Sequence, residues 1–135
     1  MTTPGRDLEP YGARVRLSLG RDLDAHRLLA ALLEDIANAC EAAGASLIGH
    51  IKCVLRTAGG RIHCSLTSRG SGARCGGDEA VRLKKGREVE LNLAVLVYGL
   101  PATTIDGIVE AALERALAPV ASLWSKRASF RDYNL

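Results

Sequence analysis

The stretch from Glu88 to Tyr98 (EVELNLAVLVY) constrains this chain more than any other. Val89, Leu91, Leu93, Val95 and Val97 recur at every second position, the period of a β-strand with one buried face. A helix would scatter those five side chains around its circumference. A strand this long needs partners on its edges and a covering layer over its apolar side.

Three further segments share the alternation. From Ala13 to Leu19, Val15, Leu17 and Leu19 alternate with Arg14, Arg16 and Ser18. Over Leu47 to Arg56, the pattern puts Ile51, Cys53 and Leu55 on one side, and Ile48, His50, Lys52, Val54 and Arg56 on the other. Over Arg61 to Thr67, Ile62, Cys64 and Leu66 turn inward while Arg61, His63, Ser65 and Thr67 turn outward. Thr57, Ala58, Gly59 and Gly60 supply a hairpin turn between the last two strands. If Arg56 stands opposite Arg61, Cys53 stands opposite Cys64, and the two arginines call for an acidic neighbouring strand.

Helical spacing takes over from Ala25 to Ala43, where Leu29, Leu32, Leu33, Ile36 and Cys40 form one stripe. Asp22 or Asp24 is placed to cap its start and Gly44 to close its end. A second helix is expected from Thr103 or Thr104 to about Ala118, burying Ile105, Ile108, Val109, Ala112, Leu113, Ala116 and Leu117. Pro119 ends or kinks it, and Val120, Leu123 and Trp124 continue an amphipathic turn. The order is β-α-β-β-β-α. It predicts an α+β two-layer sandwich: a four-stranded, mainly antiparallel sheet with two helices on one face.

Residues 1–135 are expected to form a single domain. Residues 1–11 read as a flexible N-terminus, 68–86 as a mobile glycine-rich loop with a short edge strand at Val81 and Leu83, and 126–135 as a basic, frayed tail. No stretch of about 18 apolar residues is present to cross a membrane, and the N-terminus has no leader pattern. These features predict a cytoplasmic protein whose Cys40, Cys53, Cys64 and Cys75 are reduced.

The outer sheet face is the expected binding surface, with Arg14, Arg16, His50, Lys52, Arg56, Arg61, His63 and Tyr98 as candidate residues. Ile48, Val54, Ala94, Leu96 and Tyr98 give it an apolar share, which points to a homo-oligomer or a protein partner. RNA is the alternative occupant, although aromatics are only 4% of the chain, and Glu88 and Glu90 share the face. Cys75, beside Arg74 in the glycine-rich loop, is expected to be a reactive thiol. The pairs His50/Cys53 and His63/Cys64 resemble pieces of a metal site, but strand parity turns the members of each pair to opposite faces, so no metal site is assigned. No catalytic constellation and no cofactor motif is present in the sequence. Arg69 to Arg74 lacks phosphate-loop spacing.

Gly49-His50-Ile51-Lys52, Ser65-Leu66-Thr67-Ser68 and Val95-Leu96-Val97-Tyr98-Gly99-Leu100 resemble stretches in the C-terminal portion of CobW-like GTPases, which are associated with metals or cobalamin. The nucleotide-binding half of that family and its Cys-x-Cys-Cys motif are missing here. The resemblance therefore implies a small accessory domain of a metal or corrinoid pathway. Glu88 to Ala118, about a quarter of the chain, is similar to the strand–Tyr-Gly–helix half of the alkaline-shock-protein family, mostly binding or scaffold proteins. Neither resemblance transfers a site residue. The leading expectation is a non-enzymatic binding or assembly module working through its open sheet face. RNA binding and a metal-pathway accessory role are the alternatives.

Overall fold

The computed structural model describes residues 10–67, 72–77 and 82–129. In chain order the elements are β1 (Tyr11–Leu19), β2 (Leu23–Asp24), α1 (Ala25–Ala42), β3 (Leu47–Thr57), β4 (Gly60–Leu66), β5 (Arg74–Gly77), β6 (Arg82–Leu83), β7 (Glu88–Tyr98), α2 (Ala102–Leu117) and β8 (Ala121–Ser129). The fold is α+β with an antiparallel sheet, as the alternation requires, but the sheet has six strands rather than four, in the order β5-β4-β3-β7-β1-β8. The short β2 and β6 pair separately, Leu23 with Leu83 and Asp24 with Arg82.

The most regular strand, β7, lies inside the sheet with β3 on one side and β1 on the other. Its inward residues Leu91, Leu93, Val95 and Val97 are essentially inaccessible to solvent. They join the inward sides of β1, β3 and β4 and the apolar stripes of both helices in one core. In α1, Leu29, Leu32, Leu33, Ile36 and Cys40 are buried, Asp24 caps the start by accepting from the Arg27 amide at 3.3 Å, and Gly44 takes the left-handed conformation just beyond the end. In α2, Ile105, Val109, Ala112, Leu113 and Leu117 are buried.

Several elements differ from the sequence-based expectation. Residues 121–129 form a strand, not a helical turn followed by a frayed tail: Pro119 stops α2, and Trp124, Lys126 and Ala128 then alternate with Leu123, Ser125 and Arg127 along β1. Two strands, β5 and β6, lie within the stretch expected to be one mobile loop, while residues 68–71 and 78–81 fall outside the described residues. The expected flexible N-terminus, residues 1–11, overlaps β1, because Tyr11 already belongs to that strand and is fully buried; residues 1–9 lie outside the described residues. Helix α2 begins at Ala102, with the Pro101 carbonyl accepting from the Thr104 and Ile105 amides, so neither threonine caps it.

Ile48 is also reassigned. A register shift between Ile48 and His50 pairs Ile48 with Val97 and packs it against the core, not on the outer face. Gly49 occupies the irregularity, where a Cβ would lie 2.8 Å from the Leu96 carbonyl oxygen. Only glycine lets the two backbones approach this closely.

The cysteines differ most. Because residues 74–77 form a strand, Cys75 lies opposite Cys64, and the two are joined by a disulfide with Cα atoms 4.0 Å apart. Cys75 therefore carries no reactive thiol here, and the four cysteines are not all reduced. Cys40 and Cys53 remain free and buried.

Candidate functional site

The outer face of the sheet is laid out in cross-strand rows. One row runs Ser125 (β8), Arg16 (β1), Glu90 (β7), Arg56 (β3) and Arg61 (β4). The next runs Arg127, Arg14, Asn92, Val54, His63 and Gly76. A third contains Ala94, Lys52, Ser65 and Arg74. The expected pairing of Arg56 with Arg61 is present, and the acidic neighbour it called for is Glu90, directly opposite Arg56.

The structure brings Arg14, Arg16, Lys52, Arg56, Arg61 and His63 together on this face as exposed side chains. It adds Arg74 and Arg127, which the sequence reading missed because neither β5 nor β8 was recognised as a strand. Among the six strands, β7 supplies the carboxylates Glu88 and Glu90, and each of the other five supplies at least one arginine or lysine. The whole chain has a formal net charge of only +3, so the positive charge is concentrated here. Glu90 pairs with Arg14, Oε1 to Nε at 3.1 Å, an ion pair at a partly exposed site that contributes little to stability.

His50 and Tyr98 sit apart from that cluster. His50 is half-buried opposite Leu96, and burial, then the neighbouring Lys52 charge, hold its pKa below the ordinary value. The Tyr98 ring lies beside Gly49, about eight residues along β7 from Glu90, or roughly 27 Å. His63 stands opposite Val54 and spreads its imidazole over Gly76, where a Cβ would be 3.0 Å from Nε2. The two histidines thus do not converge. Among the described residues no three His, Cys, Asp or Glu side chains gather closely enough to hold a metal ion.

The apolar share of the face is smaller than its parity suggests. Ala94 is 0% and Val54 8% exposed, already covered by their neighbours within the chain. The exposed large apolar side chain among the described residues is Leu123, at 72%. It stands at the end of a groove of about 550 Å³ lined by Arg16 and Ser18 of β1, Arg56, Thr57 and Ala58 at the β3–β4 turn, Glu88 and Glu90 of β7, and Leu123, Trp124 and Ser125 of β8.

A second polar cluster lies on the helix-covered side. The Tyr11 hydroxyl donates to Asp106 Oδ1 at 2.7 Å, and Lys126 Nζ reaches Asp106 at 2.5 Å and Glu110 at 3.2 Å. Lys126 points inward because its partner in β1 is Val15. Burial would raise the Asp106 carboxyl, but the hydrogen bonds from Lys126 and Tyr11 outweigh it and hold that group below its usual range. Burial would likewise lower the Lys126 ammonium, and its two carboxylate partners instead raise it. Burial, followed by the Asp106 contact, raises the Tyr11 hydroxyl. A lysine held charged and a tyrosine held neutral do not make a nucleophile or a base near neutral pH. The cluster ties β8 and β1 to α2.

No helix among the described residues is long and apolar enough to cross a membrane. No protein-family model matches the chain, and no curated protein or solved structure matches it.

Proposed function

We propose that the protein is a non-enzymatic binding module that holds single-stranded RNA on its open sheet face. The observation that carries this reading is the distribution of cations: every strand but β7 contributes one, across a sheet about 24 Å wide. A small anion could engage two or three of them. A polymer with a charge at each repeat can engage most, releasing counterions as it binds. The face offers few aromatic platforms, so affinity would come mainly from phosphates and little from base identity.

Self-association through the same face has less support. Its case rested on outward apolar groups, of which Ile48 turns inward and Val54 and Ala94 are already covered.

The test is fluorescence anisotropy of a labelled single-stranded RNA over a series of salt concentrations. Five to seven phosphate contacts predict that log K falls against log salt with a slope of about −3.5 to −5. The double variant Lys52→Glu/Arg127→Glu removes two contacts, so the slope should become shallower by about 1.4. Absence of binding at about 50 mM salt, or binding indifferent to salt, refutes the proposal.

A further inference from the structure

The six-stranded sheet has two edges, and they differ. At one, β5 has four residues, ends in two glycines and is tied to β4 by the Cys64–Cys75 bond. At the other, β8 runs from Ala121 to Ser129 without proline or glycine and pairs only with β1. Its outer row of amides and carbonyls meets no strand among the described residues. An edge of this length is a template for another strand unless lysine, proline or a bulge blunts it. Here Lys126 turns inward and is held by Asp106 and Glu110, so its charge does not guard the edge. Leu123, 72% exposed, stands on the open face, and Trp124 and Ala128 on the helix-covered side are only half-buried.

We propose that β8 pairs antiparallel with β8 of a second copy about a two-fold axis at Ser125, joining two six-stranded sheets into one. Ser125 is the midpoint of the strand, so this register alone pairs all nine residues. An antiparallel ladder of that length makes about eight to ten hydrogen bonds, as many as a typical specific interface. The side chains suit the same register. On the outer face Leu123 lies beside Arg127 of the second copy, whose alkyl stem can cover it. On the other face Trp124 lies beside Lys126 of the second copy, ring against stem. The two-fold axis makes each contact twice. The two Arg127 groups stay roughly 14 Å apart, beyond the screening length of about 10 Å at 0.1 M salt. An axis at Lys126 would instead set two lysines side by side. The contact does not rest on the RNA reading, and it leaves both cationic faces on the same side of the joined sheet.

Sedimentation equilibrium should show the mass rising from one chain to two as concentration passes through the micromolar range. Leu123→Lys sets a like charge beside Arg127 of the second copy, twice per dimer, and should weaken association by about tenfold. Leu123→Asp sets an opposite charge there and should match or tighten the wild type. Leu123 is exposed, so both variants should keep the wild-type melting temperature in dilute protein, which separates a lost contact from a lost fold. A protein still monomeric at about 500 µM overturns the proposal. A dimer that responds equally to both variants, or to neither, has its interface elsewhere and also overturns it. So does a monomer whose β8 amides on the outer edge resist hydrogen exchange, because a segment of the same chain then covers that edge.

Discussion

Reducing the Cys64–Cys75 bond should cost the fold about 3 kcal/mol. The bond closes a loop with a sequence separation of 11. In the chain-entropy treatment, a loop of that length removes about 9 cal/mol/K from the unfolded ensemble, or about 2.8 kcal/mol at 25 °C. For a urea slope of about 1.5 kcal/mol/M, the midpoint should fall by about 2 M when the wild type is denatured with reductant present. The loss should begin locally. The edge strand β5 has four residues and pairs only with β4, so the amides of Arg74 to Gly77 should lose hydrogen-exchange protection before those of β7. Rearranged pairing should not intervene. Burial pushes the Cys53 thiol up to about 12 and the Cys40 thiol to about 11, so at pH 8 only about one Cys53 in ten thousand is the thiolate that exchange requires. Cys75→Ser should reproduce the reduced midpoint and make it insensitive to reductant. A midpoint that moves by less than about 0.5 M on reduction, with β5 still protected, refutes the reasoning.

Lys126→Met should destabilise the fold by about 1–2 kcal/mol, toward the lower figure because Asp106 and Glu110 are partly exposed. The depressed Asp106 group contributes stability above its ordinary 3.8 and loses it as pH falls through the folded value. The difference from wild type should therefore shrink in acid, and urea melts at pH 7 and pH 2.5 check both the size and the sign. Tyr11→Phe should cost about 1 kcal/mol through the hydrogen bond to Asp106, read from the same melts. The His50 imidazole should titrate below 6.5 by NMR, and Lys52→Met should raise its midpoint by removing the nearby charge; a wild-type midpoint above 6.5 contradicts the assigned burial. Because protonated His50 adds a cation to the face, RNA affinity should rise as pH falls through that midpoint, and bound RNA should raise the midpoint in return.

Alternation alone identified the four principal strands and the pairing of Cys53 with Cys64, because side chains repeat every two residues and a slip of one would expose the whole apolar set. It failed where that parity breaks or is hidden. The irregularity at Gly49 inserts a residue into β3, so Ile48 is on the opposite side from a straight count. In β8 the inward position opposite Val15 is a lysine, which reads as a polar surface residue; its inward direction is fixed by Asp106 and Glu110, which lie on a helix earlier in the chain. In β5, RCGG has almost no strand propensity, and its pairing rests on the bond from Cys75 to Cys64. Five of the eight candidate face residues, Arg14, Arg16, Lys52, Arg56 and Arg61, were legible as an exposed cationic group, with His63 exposed beside them. The groove was not, since it needs β8 and the β3–β4 turn together.

The placement of charge between the two layers bears on how a partner would approach. Carboxylates are concentrated on the helices: Glu34, Asp35 and Glu41 on α1, and Asp106, Glu110 and Glu114 on α2, against Arg27 and Arg115. One of those arginines already bridges the helices, Arg115 to Asp35 at 3.0 Å. The molecule thus has a positive sheet face and a negative helix face, separated by a core about 10 Å thick. A polyanion arriving at the helices is repelled, and one arriving at the sheet is drawn in, so the field orients encounter before any contact forms. Two consequences follow from that polarity. On the proposed reading, RNA should engage the sheet face alone, so one protein should occupy one side of one strand. Association should also slow steeply with added salt, because the steering field is screened over about 10 Å at 0.1 M.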